Sequence, residues 1–174
     1  MSAILGVDLG ERRIGLALAD GPGGPVWPLA TIRRAKTVDR DAEAIVRALG
    51  GRRVGELVVG LPLDIGGDAG PQARLSIAWA TEIAAFLGLP LALRDERLSS
   101  HLAEGRVGPM KRGRSGGPPT PSQREAWRAR VDREAAAIIL QDELDARAGR
   151  SAERPATRPP RDHAETNQSM ENDS

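Results

Sequence analysis

The 174-residue chain has no cysteine, which excludes disulfides and disulfide-linked partners, thiolate zinc centres, iron–sulfur clusters and thiol nucleophiles. With only two histidines a zinc site is not expected, and a metal would rely on oxygen ligands or histidine. Aromatic residues amount to 2%, leaving little surface on which a planar ligand could stack. Long apolar runs are missing too. The N-terminal stretch is cut by Asp8 and then by Glu11, Arg12 and Arg13, too soon for a signal peptide or a membrane span. A soluble cytoplasmic protein with no membrane partner is the expectation. Nor is there an excess of one charge: 25 basic against 24 acidic residues give a net +1, which by itself points to no partner.

What is present fits one domain, since a chain of this length divided by ~150 residues per domain leaves little over. Apolar residues at 40% and charged residues at 28% are enough for a single core. The charge is unevenly spread. Residues 151–174 hold three arginines and five acids, so without them the balance is 22 basic to 19 acidic, or +3. Residues 106–130 hold seven basic side chains and one acid, a local +6 that can attract a polyanion or simply be a solvated charge run.

Short apolar runs at 3–9 and 13–19, joined by Gly-Glu-Arg-Arg, predict two strands and a tight turn, with a third strand over 26–32 after the Gly-Pro-Gly-Gly-Pro turn. In the second run Ile14, Leu16 and Leu18 alternate with Gly15, Ala17 and Ala19, giving one bulky face and one small face that something can approach closely. Ala42, Ile45, Val46 and Leu49 predict a helix over 39–49, stopped by Gly50-Gly51. The Val-rich run 56–61 reads as a strand in mid-sheet. Pro71 opens a helix with an inner stripe of Leu75, Trp79, Ile83 and Phe86 or Leu87, closed by Gly88 and Pro90, and a fifth strand follows over 91–95. Three meandering strands followed by alternating helices and strands give an α/β fold, a mixed five-stranded sheet with helices packed on both faces.

The Gly-, Pro-, Lys- and Arg-rich stretch 105–121 lacks apolar periodicity and is expected to be a mobile basic loop. The next helix has two candidate starts, the capping box Ser122-Gln-Arg-Glu125 or Val131-Asp132, and should end near Gly149. The domain is therefore expected to span residues 1–149. Residues 150–174 form a polar tail too poor in apolar groups to order itself.

Three acidic positions stand out. Asp8 lies within an apolar strand on the face of Gly6 and Gly10, either stabilising the turn or binding a cation. Asp95-Glu96-Arg97 sits where the fifth strand runs out, either a surface ion-pair ladder or a site in which one of the two acids faces inward. Asp132 heads the stripe Ala135, Ala136, Ile139, Leu140 and is a candidate N-cap or ligand. Three carboxylates about 5 Å apart at an effective dielectric of ~20 would repel by roughly 3 kcal/mol per pair, so such a cluster needs protons or cations. An all-oxygen, cysteine-free set suits Mg²⁺ or Mn²⁺. Two such ions could activate water and stabilise the leaving oxygen of a phosphodiester.

The segments Gly6-Val-Asp8-Leu-Gly10, Arg13-Ile-Gly-Leu-Ala17, Val59-Gly-Leu-Pro-Leu63, Gly70-Pro-Gln-Ala-Arg74, Asp95-Glu-Arg-Leu-Ser99 and Val131-Asp132 before Ala135 to Leu140 resemble the YqgF/RuvX family in order and spacing, over residues 3–147. The resemblance implies a ribonuclease H-like fold and a metal-dependent nuclease of the bacterial cytoplasm. Its substrate would be structured nucleic acid: the precursor of small-subunit ribosomal RNA, processed at its 5′ end, or branched DNA as for a Holliday junction resolvase. A non-catalytic RNA-binding ribosome-assembly factor is the alternative. Asp8, Glu96 and Asp132 match the family's catalytic and metal-binding carboxylates, which would hold two ions of Mg²⁺ or Mn²⁺. Arg13 matches a basic position able to meet a phosphate, and Lys111, Arg112 and Arg114 are the expected nucleic-acid contacts on the basic loop. His101 takes no role. Two departures are Arg94, where the family more often has an aromatic or apolar residue, and the Gly- and Pro-rich loop before Asp132. The Asp-x-Gly hairpin also resembles the phosphate loop of sugar kinases and actin-like ATPases, but those close two lobes over a nucleotide and this chain has room for one.

Overall fold

The computed structural model describes residues 2–153, apart from the side chains of Arg114, Ala152 and Glu153. Strands β1 (Ala3–Leu9), β2 (Arg13–Ala19) and β3 (Val26–Arg33) form an antiparallel meander. Helix α1 (Val38–Leu49) leads to β4 (Val54–Leu61), which pairs parallel with β1, and α2 (Pro71–Leu87) leads to β5 (Leu91–Asp95), parallel to β4. The sheet order is β3-β2-β1-β4-β5, the ribonuclease H-like arrangement implied by the resemblance. Pro28 sits in β3, an edge strand, beside a register shift between Leu16 and Ala17, as a residue without an N–H requires. Helix α3 (Ser99–Val107), a short 3₁₀ turn (Arg114–Gly116) and α4 (Pro121–Glu153) complete the described chain. None of its helices is long and apolar enough to cross a membrane.

The sheet has helices on both faces. Leu5, Val7, Leu9, Ile14, Leu16 and Leu18 point to one side, where Ile45 of α1 and Trp79 and Ile83 of α2 bury them. On the other side Ile4, Ala17, Ala19 and Val58 meet Ala136, Ile139 and Leu140 of α4. The alternation in β2 thus does what its two residue sizes suggest. A Cβ on Gly6 would lie 2.7 Å from Leu140 Cβ, and one on Gly15 would run into the backbone carbonyl of Asp132. Helix α3 covers the outer side of α4 through Ala103 against Val131, Ala135 and Ile138. Across the solvent side of the first helical layer, α1 and α2 end at Gly50 and Gly88, both in the left-handed conformation that glycine adopts without strain.

Several expectations are corrected. In α2 the buried stripe is Ala73, Ser76, Trp79, Ala80, Ile83 and Ala84, while Leu75 is 65% exposed, Phe86 half exposed and, in α1, Val46 likewise. The inner stripe mixes the large Trp79 and Ile83 with small Ala and Ser side chains, so the face that turns inward is offset from the one through Leu75 and Phe86. The start of α4 is neither expected box. Thr120 Oγ1 accepts from the Gln123 backbone N–H, and Gln123 Oε1 accepts from the Thr120 N–H, a reciprocal cap two residues before Ser122. Asp132 is consequently inside the helix and caps nothing. The helix also passes Gly149 and continues to Glu153; the rest of the expected tail lies outside the described residues.

Residues 105–121 do not form a free loop either. Residues 105–107 end α3, and Trp127 Nε1 donates to the Gly108 carbonyl at 2.8 Å, while the Gly113 N–H donates to Gly117 at 3.0 Å. These ties come from single side-chain and backbone contacts that leave no apolar period. They also employ Trp127, the one aromatic near the basic segment, as a structural bolt. Arg94, the departure on β5, reaches Glu143 of α4 at 3.7 Å. There it joins a network in which Arg147 binds Glu143 at 2.8 Å and also pairs with Glu56 of β4.

Candidate active site

Asp8 stands at the C-terminal end of β1, opposite Gly15 of β2. One residue beyond the Val7–Val59 pair of β1 and β4, the neighbouring strand carries Gly60. Asp8 is thus flanked by glycine on each side, and each glycine admits a different visitor. At Gly15 the missing side chain lets the α4 backbone at Asp132 descend onto the sheet. At Gly60 it seats the Glu96 carboxyl, whose Oε2 occupies the space a Cβ would take. A sheet with alanine at either place would keep its hydrogen bonds and lose this convergence.

Glu96 follows β5 directly. Its backbone N–H donates to the Leu61 carbonyl at 3.1 Å, and its own carbonyl accepts from both the N–H and the hydroxyl of Ser99, each at 2.9 Å. These bonds fix which acid of the triplet turns inward. Glu96 points to Asp8, whereas Asp95 faces solvent and pairs with Arg97 at 2.7 Å. The hydrogen bond from Arg97 accordingly holds the Asp95 carboxyl below its ordinary range. The ion-pair ladder and the inward-facing acid are therefore both present, one residue apart.

The Asp8 and Glu96 carboxyls lie within hydrogen-bonding reach of each other. Burial, and next the charge of Asp132, push Asp8 up to about 7, although its contact with Glu96 works in the opposite direction. Burial first, then the Asp8 charge, push Glu96 up to about 8. With both ionised neither can donate, and Glu96 Oε2 is a buried oxygen with no hydrogen-bond partner. A proton shared between them, or a cation, resolves this near neutral pH.

Asp132 approaches the pair closely enough for its charge to act on Asp8, yet its carboxylate is engaged elsewhere. Arg13 Nε donates to Asp132 Oδ2 at 2.5 Å, and Arg13 Nη1 reaches Glu125 at 3.4 Å. Burial disfavours the Arg13 charge, but these carboxylates more than offset it and hold the guanidinium above its ordinary value. Among the described residues no three acidic or histidine side chains are gathered tightly enough to hold a metal ion as they stand. Asp8 and Glu96 are brought together; Asp132 is adjacent and tied to Arg13.

A groove of about 730 Å³ opens beside Glu96, walled by Pro62, Leu63, Leu98 and Ser99, and gives Glu96 access to solvent. Lys111 and Arg112 are exposed on the segment after α3, Arg112 donating to the Gly116 carbonyl at 3.4 Å, and Arg114 opens the 3₁₀ turn. His101 is exposed on α3. Sequence reasoning passed over Arg12, Arg33, Arg34 and Arg128, which line one hollow with Arg13. The signal available was pairing: two strands of similar length joined by a short turn set Arg13 opposite Arg33.

Residues 2–146 match the family described as "RuvX: Holliday junction resolvase". A protein of Anaeromyxobacter sp. (strain Fw109-5) named "Putative pre-16S rRNA nuclease" is 46% identical over 143 residues, covering 82% of this chain and 96% of its own. One of Acaryochloris marina (strain MBIC 11017) with the same name is 42% identical over 141 residues, covering 81% and 90%. Among solved structures, T. thermophilus RuvC in complex with a Holliday junction substrate aligns with a TM-score of 0.47 and 16% identity, over 86% of this chain and 97% of that one.

Proposed function

The chain belongs to the RuvX family, and from that premise we propose that it is a divalent-metal-dependent nuclease that processes the 5′ end of pre-16S ribosomal RNA in the bacterial cytoplasm. It is a hydrolase of phosphodiester bonds, and its substrate is structured nucleic acid. The observation that carries the reading is the facing pair of half-buried carboxyls over the glycine floor, with Glu96 Oε2 buried and left without a donor.

That pair fits a hard cation. The donors are all carboxylate oxygens, and both acids hold their protons up to near-neutral pH, a cost of ionisation that a cation would offset. Asp8 and Glu96 would hold Mg²⁺ or Mn²⁺, two ions in this reading, with Asp132 as the third ligand once Arg13 releases it. When bound, the ions supply charge neutralisation and a water acidic enough to attack at neutral pH. The remaining work belongs to the chain. Arg13 exchanges its carboxylate partners for a phosphate oxygen of the substrate, which orients the scissile strand and frees Asp132 in one move. Lys111, Arg112 and Arg114 contact the backbone farther along. With few aromatic residues the protein reads phosphate positions and shape rather than bases.

Cleavage of a pre-16S fragment with Mg²⁺ or Mn²⁺, beside a four-way DNA junction, tests this. The wild-type chain should cut the RNA, and Asp8→Asn should bind it in EDTA as tightly while cutting nothing. Preferential cutting of the junction would favour the resolvase reading that the family's description supports. Binding without cutting or metal uptake, unchanged in Asp8→Asn, would mark a non-catalytic assembly factor.

A further inference from the structure

Arg12, Arg13, Arg33, Arg34 and Arg128 line a cleft of about 350 Å³ between the β1–β2 hairpin, the end of β3 and the first turns of α4. Two glutamates, Glu11 and Glu125, also line it, so the walls carry a net +3. Glu125 is already engaged with Arg13. Arg12, Arg33 and Arg128 are exposed and form no ion pair among the described residues. Strand pairing sets Arg13 directly across from Arg33; Arg13 has its carboxylate partners, whereas Arg33 has none among the described residues. Guanidinium groups offer flat, forked donors suited to phosphate oxygens.

The cleft also has a direction. A second hollow of about 500 Å³ adjoins it, sharing Glu11, Arg12, Arg13 and Arg128, and is lined further by Gly10 and Asp132. An anionic chain lying in the first would reach Asp132, whose charge acts on Asp8, through the second. The rest of the 106–130 segment, Arg128 aside, spends part of its basic residues internally: Arg106 pairs with Glu134 at 3.0 Å and Arg124 donates to the Pro119 carbonyl.

We infer that this arginine-lined cleft, assembled from the β1–β2 hairpin, the end of β3 and α4, binds successive backbone phosphates of the substrate strand and feeds that strand to the carboxyl pair. The inference rests on the nuclease reading for the identity of the strand. The cleft, and not the segment around Lys111, is then the main phosphate-binding surface.

The test compares the full-length wild type with an Arg12→Gln/Arg33→Gln/Arg128→Gln variant and a Lys111→Gln/Arg112→Gln variant. Affinity for a pre-16S fragment is read by fluorescence anisotropy in EDTA across a salt series, and thermal melts confirm that the exposed substitutions leave folding intact. The triple variant should bind about 10- to 100-fold more weakly and lose about two to three from the slope of log affinity against log salt. The Lys111/Arg112 variant should lose less. Equal affinity and slope in the triple variant overturns the inference while leaving cleavage by the wild type, and with it the nuclease reading, intact. A wild type that binds with the expected cleft dependence but never cuts upholds the cleft and removes the nuclease reading; a wild type that binds no RNA overturns both.

Discussion

On one face of the sheet Leu5, Val7, Leu16 and Leu18 interlock with Ile45, Trp79 and Ile83; on the other, Gly6, Gly15, Ala17 and Gly60 leave so little in the way that α4 and the Glu96 side chain come down almost to the strands. The first face provides area, roughly 25 cal/mol for each Å² of apolar surface removed from water. The second gives up area for proximity, and all three carboxylates of the site are found there. Both faces are built by the same strands from alternate residues, so the division between stability and chemistry runs through each strand and not between regions of the fold.

Neighbouring residues of β2 put this to its hardest test. Leu16→Ala should cost about 2–5 kcal/mol through the cavity it opens. Gly15→Ala adds one methyl group where the Asp132 backbone sits and should cost about 3 kcal/mol or more, because a backbone cannot step aside as a side chain can. Chemical denaturation of both variants decides it. A Gly15→Ala protein as stable as the wild type would mean that α4 does not depend on the small face.

The site itself should detract from stability. Asp8→Asn removes a half-buried carboxyl whose ionisation is opposed by loss of solvent and by Asp132. It is expected to stabilise the metal-free protein at pH 8 on the order of 1–2 kcal/mol while reducing cleavage to the assay floor. Thermal melts in EDTA beside an activity assay check both halves, and a destabilised Asp8→Asn would show the carboxyl to be structural.

The same physics gives the wild type a pH dependence of definite sign. Asp8 and Glu96 hold their protons up to about 7 and 8 in the folded chain, against 3.8 and 4.5 as ordinary values. Between those limits the unfolded chain binds fewer protons than the folded one. Stability from this pair is therefore complete below about pH 4, declines as the pH rises, and is gone above about pH 8. Mg²⁺ should recover part of it at the alkaline end. Urea titrations in EDTA from pH 5 to 8.5 read the slope, and a rise instead of a fall would contradict the buried pair. The smallest effect belongs to the helix start: Thr120→Ala should cost about 1 kcal/mol by circular dichroism melts, and Ser122→Ala almost nothing.

Much of the fold was legible. The size alternation of β2 announced a close visitor, and all five strands lie where apolar runs and turns placed them, with only their ends shifted. What stayed hidden depended on choices among equivalent patterns. Thr120/Gln123 and Ser122/Glu125 fit the same capping rule, and only the bonds made select the first. Leu75 and Phe86 satisfy helical spacing as well as Ala73, Ser76 and Ala80, because periodicity gives a stripe but not which stripe faces inward. At the site, Asp8 was readable as a carboxylate in an apolar strand, whereas the role of Gly60 was not, since a glycine in a Val-rich strand says nothing about which distant side chain will use the space. The arginine cleft escaped for a related reason: its five members come from three separate segments and look unremarkable in each.

Helix α4 runs unbroken over 33 residues, about 50 Å at the usual rise. Asp132 lies some three turns from its start, between the Trp127 bolt at one end and the Glu143–Arg147–Glu56 clamp at the other. A rod pinned at two distant points transmits a small rotation at either pin to everything between them. The aim of the Asp132 carboxylate is thus a property of the whole span, and a change at Arg147, far along the same rod, can misdirect the site without touching it.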